Sequence, residues 1–223
     1  MRRRLLATMM GLGLVVTAMG FTGIYAVFSD RATTGTNSAD SGAQGRIADL
    51  KIATTVTQDC TDGSYTDDLQ TGIIAATDLQ PGGGSSFSVV CLRNDGSAAL
   101  NLTMTAIDVV ETETGCTGDE DAAGDTTCGT AGIGDGELGG ALLVVGSRLN
   151  CVTSATETSL STTLPSLAGG PGSLGSLAAG ETACIWLRVQ MLVEGQSGVT
   201  LEAIQQAQSD RVEWRFAFDG TQS

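Results

Sequence analysis

The sequence predicts an all-β fold: a jelly-roll-like antiparallel β-sandwich with long loops, preceded by an N-terminal signal helix. Three observations predict it. Several segments alternate apolar and polar side chains with a period of two, as strands with one face in a core must. Glycine fills 31 of 223 positions and proline only 3, while threonine, serine, valine and alanine dominate the rest, which suits strands joined by many turns. Aromatic residues make up 4% of the chain, so the core must be aliphatic and thin, and six cysteines can offset that weakness.

The first thirty residues differ from the rest. Arg2, Arg3 and Arg4 form a basic head, residues 5–28 carry no charge, and the small-residue step Tyr25-Ala26-Val27 precedes Phe28-Ser29-Asp30. A basic start, an apolar middle and a small residue at the exit make an export signal, with cleavage expected between Ala26 and Val27. A cut after Gly20 is one alternative. Retention as a membrane anchor is another, because the uncharged length is enough to span a bilayer. In either case the basic end stays in the cytoplasm and the rest lies outside.

The chain therefore divides into a signal peptide at 1–26, a polar segment at 27–45 and a β-sandwich domain at 46–223. The polar segment is expected to be flexible, being too poor in apolar residues to fold alone. Loss of residues 1–26 removes three of the 11 basic residues and none of the 25 acidic ones, so the net charge becomes 8 − 25 = −17. A surface of that charge repels nucleic acid and anionic lipid. The membrane is expected to be a partner only through an uncleaved signal segment.

The strands follow in order. In residues 46–56, Leu50, Ile52, Thr54 and Val56 share one face and Asp49, Lys51 and Ala53 the other. A turn-rich loop at 59–68 holds Cys60, and Ile73 with Ile74 marks a short strand. Phe87, Val89 and Cys91 alternate with Ser86, Ser88 and Val90; Asn94-Asp95-Gly96 turns the chain; Leu100, Leu102, Met104 and Ala106 return, opposite Asn101, Thr103 and Thr105. The two runs read as a hairpin. Residues 141–145 are apolar, as in a buried strand, and 153–182 read as a long loop with at most a short strand. Ile185, Leu187, Val189, Met191 and Val193 alternate strongly, residues 201–207 read as a helical turn, and Val212, Trp214, Phe216 and Phe218 form a core strand.

The export signal makes the six cysteines disulfide candidates rather than metal ligands. Cys116 and Cys128 are expected to close an acidic, glycine-rich excursion at 111–140. Cys151 and Cys184 bracket the long loop and would leave Cys60 with Cys91, although spacing alone does not fix this connectivity. Inside the excursion Asp119, Glu120, Asp121 and Asp125 are the candidate metal ligands. Their oxygens suit calcium, but the spacing is not that of an EF-hand, and a solvated acidic loop is the competing reading.

The chain contains no histidine. That removes a Ser-His-Asp triad, a Cys-His pair and an HExxH zinc site. No phosphate-binding loop or dinucleotide fingerprint follows a strand. The expectation is that the protein is not an enzyme and holds no cofactor beyond, at most, calcium.

Several pieces together resemble the TasA/camelysin family of secreted matrix proteins. Gly20, Gly23 and Tyr25-Ala26-Val27-Phe28-Ser29-Asp30 are similar to the family's G-x-x-[WY]-A-x-F-[NS]-D exit, read by a dedicated signal peptidase. Gly45-Arg46-Ile47-Ala48-Asp49-Leu50 is similar to A-G-T-L-D-L before the first strand. Leu79-Gln80-Pro81-Gly82, Phe87 and Arg93-Asn94-Asp95-Gly96-Ser97 are similar to L-x-P-G…F…N-x-G-[ST]. Gln208-Ser209-Asp210 and Phe216-Ala217-Phe218-Asp219-Gly220-Thr221-Gln222 are similar to Q-G-[DN]-S…F-x-F-x-A-T-Q. The six cysteines and the acidic excursion depart from the best-known members, as does the missing aromatic residue after Asn37.

The resemblance implies a jelly roll and a secreted subunit of extracellular fibres or biofilm matrix, self-associating into filaments with other matrix proteins as further partners. It also implies that the freed N-terminal segment, starting Val27-Phe28-Ser29-Asp30, enters a neighbour's sheet as a donor strand. Two alternatives stand beside it: a membrane-anchored surface binding module, and a camelysin-like metalloprotease, disfavoured by the absence of histidine.

Overall fold

The computed structural model describes residues 29–34, 48–54, 60–61, 63–69, 73–74, 79–85, 87–128 and 132–222. The expected signal segment, its expected cleavage step between Ala26 and Val27, and Phe28 lie outside them. The strands are β1 (Ser29–Thr34), β2 (Leu50–Thr54), β3 (Asp68–Leu69), β4 (Ser88–Asn94), β5 (Leu100–Glu113), β6 (Gly132–Ile133), β7 (Leu142–Leu149), β8 (Thr156–Thr163), β9 (Gly172–Leu177), β10 (Thr182–Met191) and β11 (Arg211–Gln222). Three short helices join them: α1 (Gly118–Ala122), α2 (Leu164–Gly169) and α3 (Leu201–Gln206).

These strands form two sheets. One runs β3-β1-β11-β5-β6, with β9 also on β5; the other runs β2-β4-β10-β7-β8. The named strand pairings are antiparallel except β1 with β3, which is parallel over two residues. The fold is an all-β sandwich, as the alternation predicts.

Its core lies between the sheets. Leu100, Leu102 and Met104 of β5 and Phe216 and Phe218 of β11 are buried on one side; Leu50 and Ile52 of β2, Val90 and Leu92 of β4, and Ile185, Leu187 and Val189 of β10 on the other. Each such side chain contributes about 1.5–3 kcal/mol by leaving water. Leu164 and Leu167 of α2 join the same cluster.

Four readings of the sequence need correction. The runs around Asn94-Asp95-Gly96 do not form a hairpin: β4 pairs with β2 and β10, whereas β5 pairs with β11, β6 and β9. The turn carries the chain from one sheet to the other. Asn94 is fully buried and its side-chain amide donates to the carbonyls of Ala98 (2.7 Å), Leu177 (3.2 Å) and Ala178 (3.1 Å), which pins this corner. Second, the core face of β4 is Val90 and Leu92, while Phe87 is half exposed and Cys91 is buried on the outer face among other cysteines. Third, Ile73 and Ile74 pack on the core from an irregular segment and form no strand. Fourth, residues 153–182 hold β8, α2 and β9. Strand β8, Thr-Glu-Thr-Ser-Leu-Ser-Thr-Thr, lies at a sheet edge with only Leu160 packed on the core, so it shows no apolar alternation.

On one side the sandwich is nearly closed. Thr66 bridges Ile52 at the β2 edge through two backbone hydrogen bonds of 2.8 and 2.9 Å, and three residues on, Leu69 pairs with β1 of the other sheet. Among the described residues no helix is long and apolar enough to cross a membrane.

Candidate functional site

Two regions are candidates for function: the strand that follows the expected leader, and the acidic excursion. Among the described residues three disulfides are formed, one of them in the excursion. Cys60 is bonded to Cys91, Cys116 to Cys128 and Cys151 to Cys184, with Cα–Cα distances of 5.6, 4.9 and 5.3 Å. Cys91 and Cys184 are register partners on β4 and β10, so two of the bridges lie side by side on one rung. Ala53 packs against these sulfurs, which explains why it is buried although it faces away from the main core. Three disulfides and no free cysteine among the described residues belong to a non-reducing environment.

The leading strand β1 lies between β11 and β3. Its register pairs Ser29 with Thr221, Asp30 with Gly220, Arg31 with Asp219, Ala32 with Phe218 and Thr33 with Ala217. Of the expected donor-strand residues, Ser29 and Asp30 are therefore on a sheet, and Val27 and Phe28 lie outside the described residues. The strand pairs with its own chain's β11. On β11, a Cβ at Gly220 would come within 2.8 Å of Leu100 Cδ1, so the ladder at this rung leaves no room for a side chain.

The excursion begins at the end of β5 and returns to it through β6, where Thr112 pairs with Ile133 and Glu113 with Gly132. Within it, α1 is opened by a capping box: Glu120 N donates to Thr117 Oγ1 at 3.3 Å, and Thr117 N donates back to Glu120 Oε2. Glu120 is fully buried and also accepts from Ser209 N at 2.6 Å and Ser209 Oγ at 2.8 Å. Burial pushes its carboxyl up, but the hydrogen bonds from Thr117 and Ser209 outweigh this and hold it below the usual range. Glu120 is thus occupied in tying α1 to the chain before β11.

The four acids singled out in the sequence are not brought together. Asp119 and Asp121 are exposed on the first turn of α1, Glu120 is engaged as described, and only Asp125 points into a cluster. That cluster is Glu113, Asp125 and Glu137, one oxygen from each lying within 4.8 Å of the others. Glu113 is 1% exposed and Asp125 9%. Glu113 Oε1 accepts from Gly115 N at 2.8 Å, and Asp125 Oδ1 accepts from Thr127 N at 2.8 Å and Thr127 Oγ1 at 2.7 Å. Asp210 joins the group by accepting from Glu137 N. In each of the four, one oxygen is buried with no donor group facing it: Glu113 Oε2, Asp125 Oδ2, Glu137 Oε2 and Asp210 Oδ1, with the Asp210 carboxyl set against those of Glu137 and Glu113.

Electrostatics follow from this packing. The Thr127 hydroxyl holds the Asp125 carboxyl below the usual range. Burial, with Asp210, Asp125 and Glu113 as neighbours, pushes Glu137 up to about 7, and burial with Glu113 nearby pushes Asp210 to about 6. Among the described residues no basic side chain forms an ion pair with any of the four. Sequence reasoning missed Glu113, Glu137 and Asp210 because they come from the end of a strand, the turn before residue 138 and the turn before β11, which only the fold brings together. The one available signal was that all three stand at element ends rather than in the acidic run.

Comparison with known protein families finds no family model that matches the chain, and comparison with curated proteins finds no match.

Proposed function

We propose that the protein is a secreted structural subunit of extracellular fibres or biofilm matrix, in which the strand at 29–34 of one copy lies along β11 of the next. The observation behind this reading is that the strand at 29–34 fits beside β11 over a five-residue register, a slot that the chain's own arm fills in this structure. Between this strand and the buried Ala48 the chain runs through residues 35–47, a contour of up to about 45 Å when extended. A neighbour's strand in the same slot would make the same ladder bonds, so concentration decides between the chain's own arm and another's. A head-to-tail contact of this kind does not close, and extends into a filament. The resemblance to the TasA/camelysin family, the export-type leader and the absence of histidine support the same reading.

The test is electron microscopy of the processed protein after unfolding and refolding at high concentration. Filaments are expected. They should be lost in Ala32→Pro, which removes a ladder donor from β1, while the body keeps its β-sheet circular dichroism. Persistent monomers at high concentration would end the proposal.

A second reading is favoured by the pairing of β1 with its own chain: a surface binding module that stays monomeric, held by an uncleaved leader. N-terminal sequencing of the cell-surface form separates the two. A start at Val27 supports the fibre, and an intact Met1 supports the anchored module.

A further inference from the structure

We propose that Glu113, Asp125 and Glu137 form a calcium site that fastens the acidic excursion to the sandwich, with Asp210 positioning Glu137. The proposal stands apart from the strand-exchange reading. It rests on geometry and on orphaned oxygens. Ligand atoms about 2.4 Å from one calcium ion can lie no more than about 4.8 Å apart, and the three carboxylates meet that limit. Glu113 and Asp125 are more than nine-tenths buried, and each contributes an oxygen with no partner. Buried carboxylate oxygens without partners cost free energy through lost hydration, and three together add mutual repulsion. One divalent cation relieves both.

The donor chemistry narrows the ion. The ligands are all oxygen, the chain has no histidine, and the nearby sulfurs of Cys116 and Cys128 are bonded to each other. That departs from the cysteine and histidine sets of zinc sites and suits a hard cation. Further oxygens stand beside the cluster: Thr127 Oγ1 is 2.7 Å from Asp125 Oδ1, 3.0 Å from the Asp135 carbonyl and 3.5 Å from Glu137 Oε1. A coordination sphere of six to eight oxygens from irregular backbone suits calcium, whereas magnesium demands a tighter octahedron and keeps its waters. The site joins three segments: Glu113 ends β5, Asp125 lies in the loop closed by Cys116–Cys128, and Glu137 precedes the turn into β7. Its occupation would hold them as one unit.

The test uses the oxidised protein recovered from expression of the full chain, stripped with a chelator. Calorimetric titration with calcium chloride is expected to show saturable binding of one ion, and calcium should raise the thermal unfolding midpoint. Magnesium chloride at matched ionic strength should raise it less. Asp125→Asn should lose both calcium responses, and Asp119→Asn, on the exposed turn, should keep them. Should Asp125→Asn fail to fold, Glu137→Gln gives the same readout. No calcium heat and no shift at millimolar concentration in the wild type would overturn the proposal. So would an equal shift with magnesium or sodium, or an undiminished response in the variant.

Discussion

Around Cys91 and Cys184 the chain buries sulfur and aliphatic carbon; around Glu113 and Asp125 it buries carboxylate oxygen. Both regions lie outside the main core and both are closed by disulfides, yet they hold their chains by opposite means. The first is complete once the thiols are oxidised. Its two bridges share a rung, and Tyr65 and Val89 cover them. In the second the single bridge spans 12 residues and encloses Asp125 alone of the four acids that each keep a buried oxygen without a donor. The difference teaches that a thin aliphatic core can be extended in two ways, one unconditional and one that depends on the solution around it.

Removing bridges tests the unconditional side and carries the largest expected effect. Replacing Cys60 and Cys91 together by alanine should lower the unfolding free energy by about 3–4 kcal/mol, from the entropy of the loop released. Replacing Cys116 and Cys128 should cost about 3 kcal/mol by the same measure. Urea unfolding under non-reducing conditions reads both. A greater loss from the shorter loop would mean that the excursion, not the shared rung, is the main staple.

The conditional side is tested by pH. Glu137 and Asp210 have their folded values raised to about 7 and about 6. Between roughly pH 4 and 7 the folded state therefore binds more protons than the unfolded one, and stability falls as pH rises through that window. For the protein in chelator, the two shifts taken independently give about 4 kcal/mol from pH 5 to pH 8, and screening at these partly exposed groups should bring the loss to on the order of 2 kcal/mol. A flat or rising profile in urea titrations would break the contrast, because the carboxylates would then be solvated in the folded protein.

The smallest effect sharpens it. Thr117→Ala removes one half of the capping box while leaving Ser209 on Glu120, and should cost about 1 kcal/mol in thermal or urea unfolding. A loss near zero would assign the hold on α1 to Ser209 alone.

Much of the sandwich is legible in the sequence. Leu100, Leu102 and Met104, and Ile185, Leu187 and Val189, alternate and are buried as that alternation predicts. What was not legible has physical causes. Alternation marks a strand's faces but not its partner, so the chain around Asn94 read as a hairpin although it crosses between sheets. Two-sided burial hid the core face of β4, because Cys91 and Val89 face a second apolar layer. An edge strand such as β8 needs few apolar residues, and its threonines and serines resembled a loop. In the excursion the acidic run at 119–121 stands out by density, whereas Glu113, Glu137 and Asp210 are assembled by tertiary contacts that no local window contains.

The shared rung also changes what a cut in the chain can do. A protease that nicks between Cys60 and Cys91, or between Cys151 and Cys184, breaks the backbone inside a covalent ring, so no fragment leaves. The severed ends stay tethered to neighbouring residues on β4 and β10. Damage in either loop then adds only one water to the molecule under oxidising conditions, and the pieces come apart only when the sulfurs are reduced.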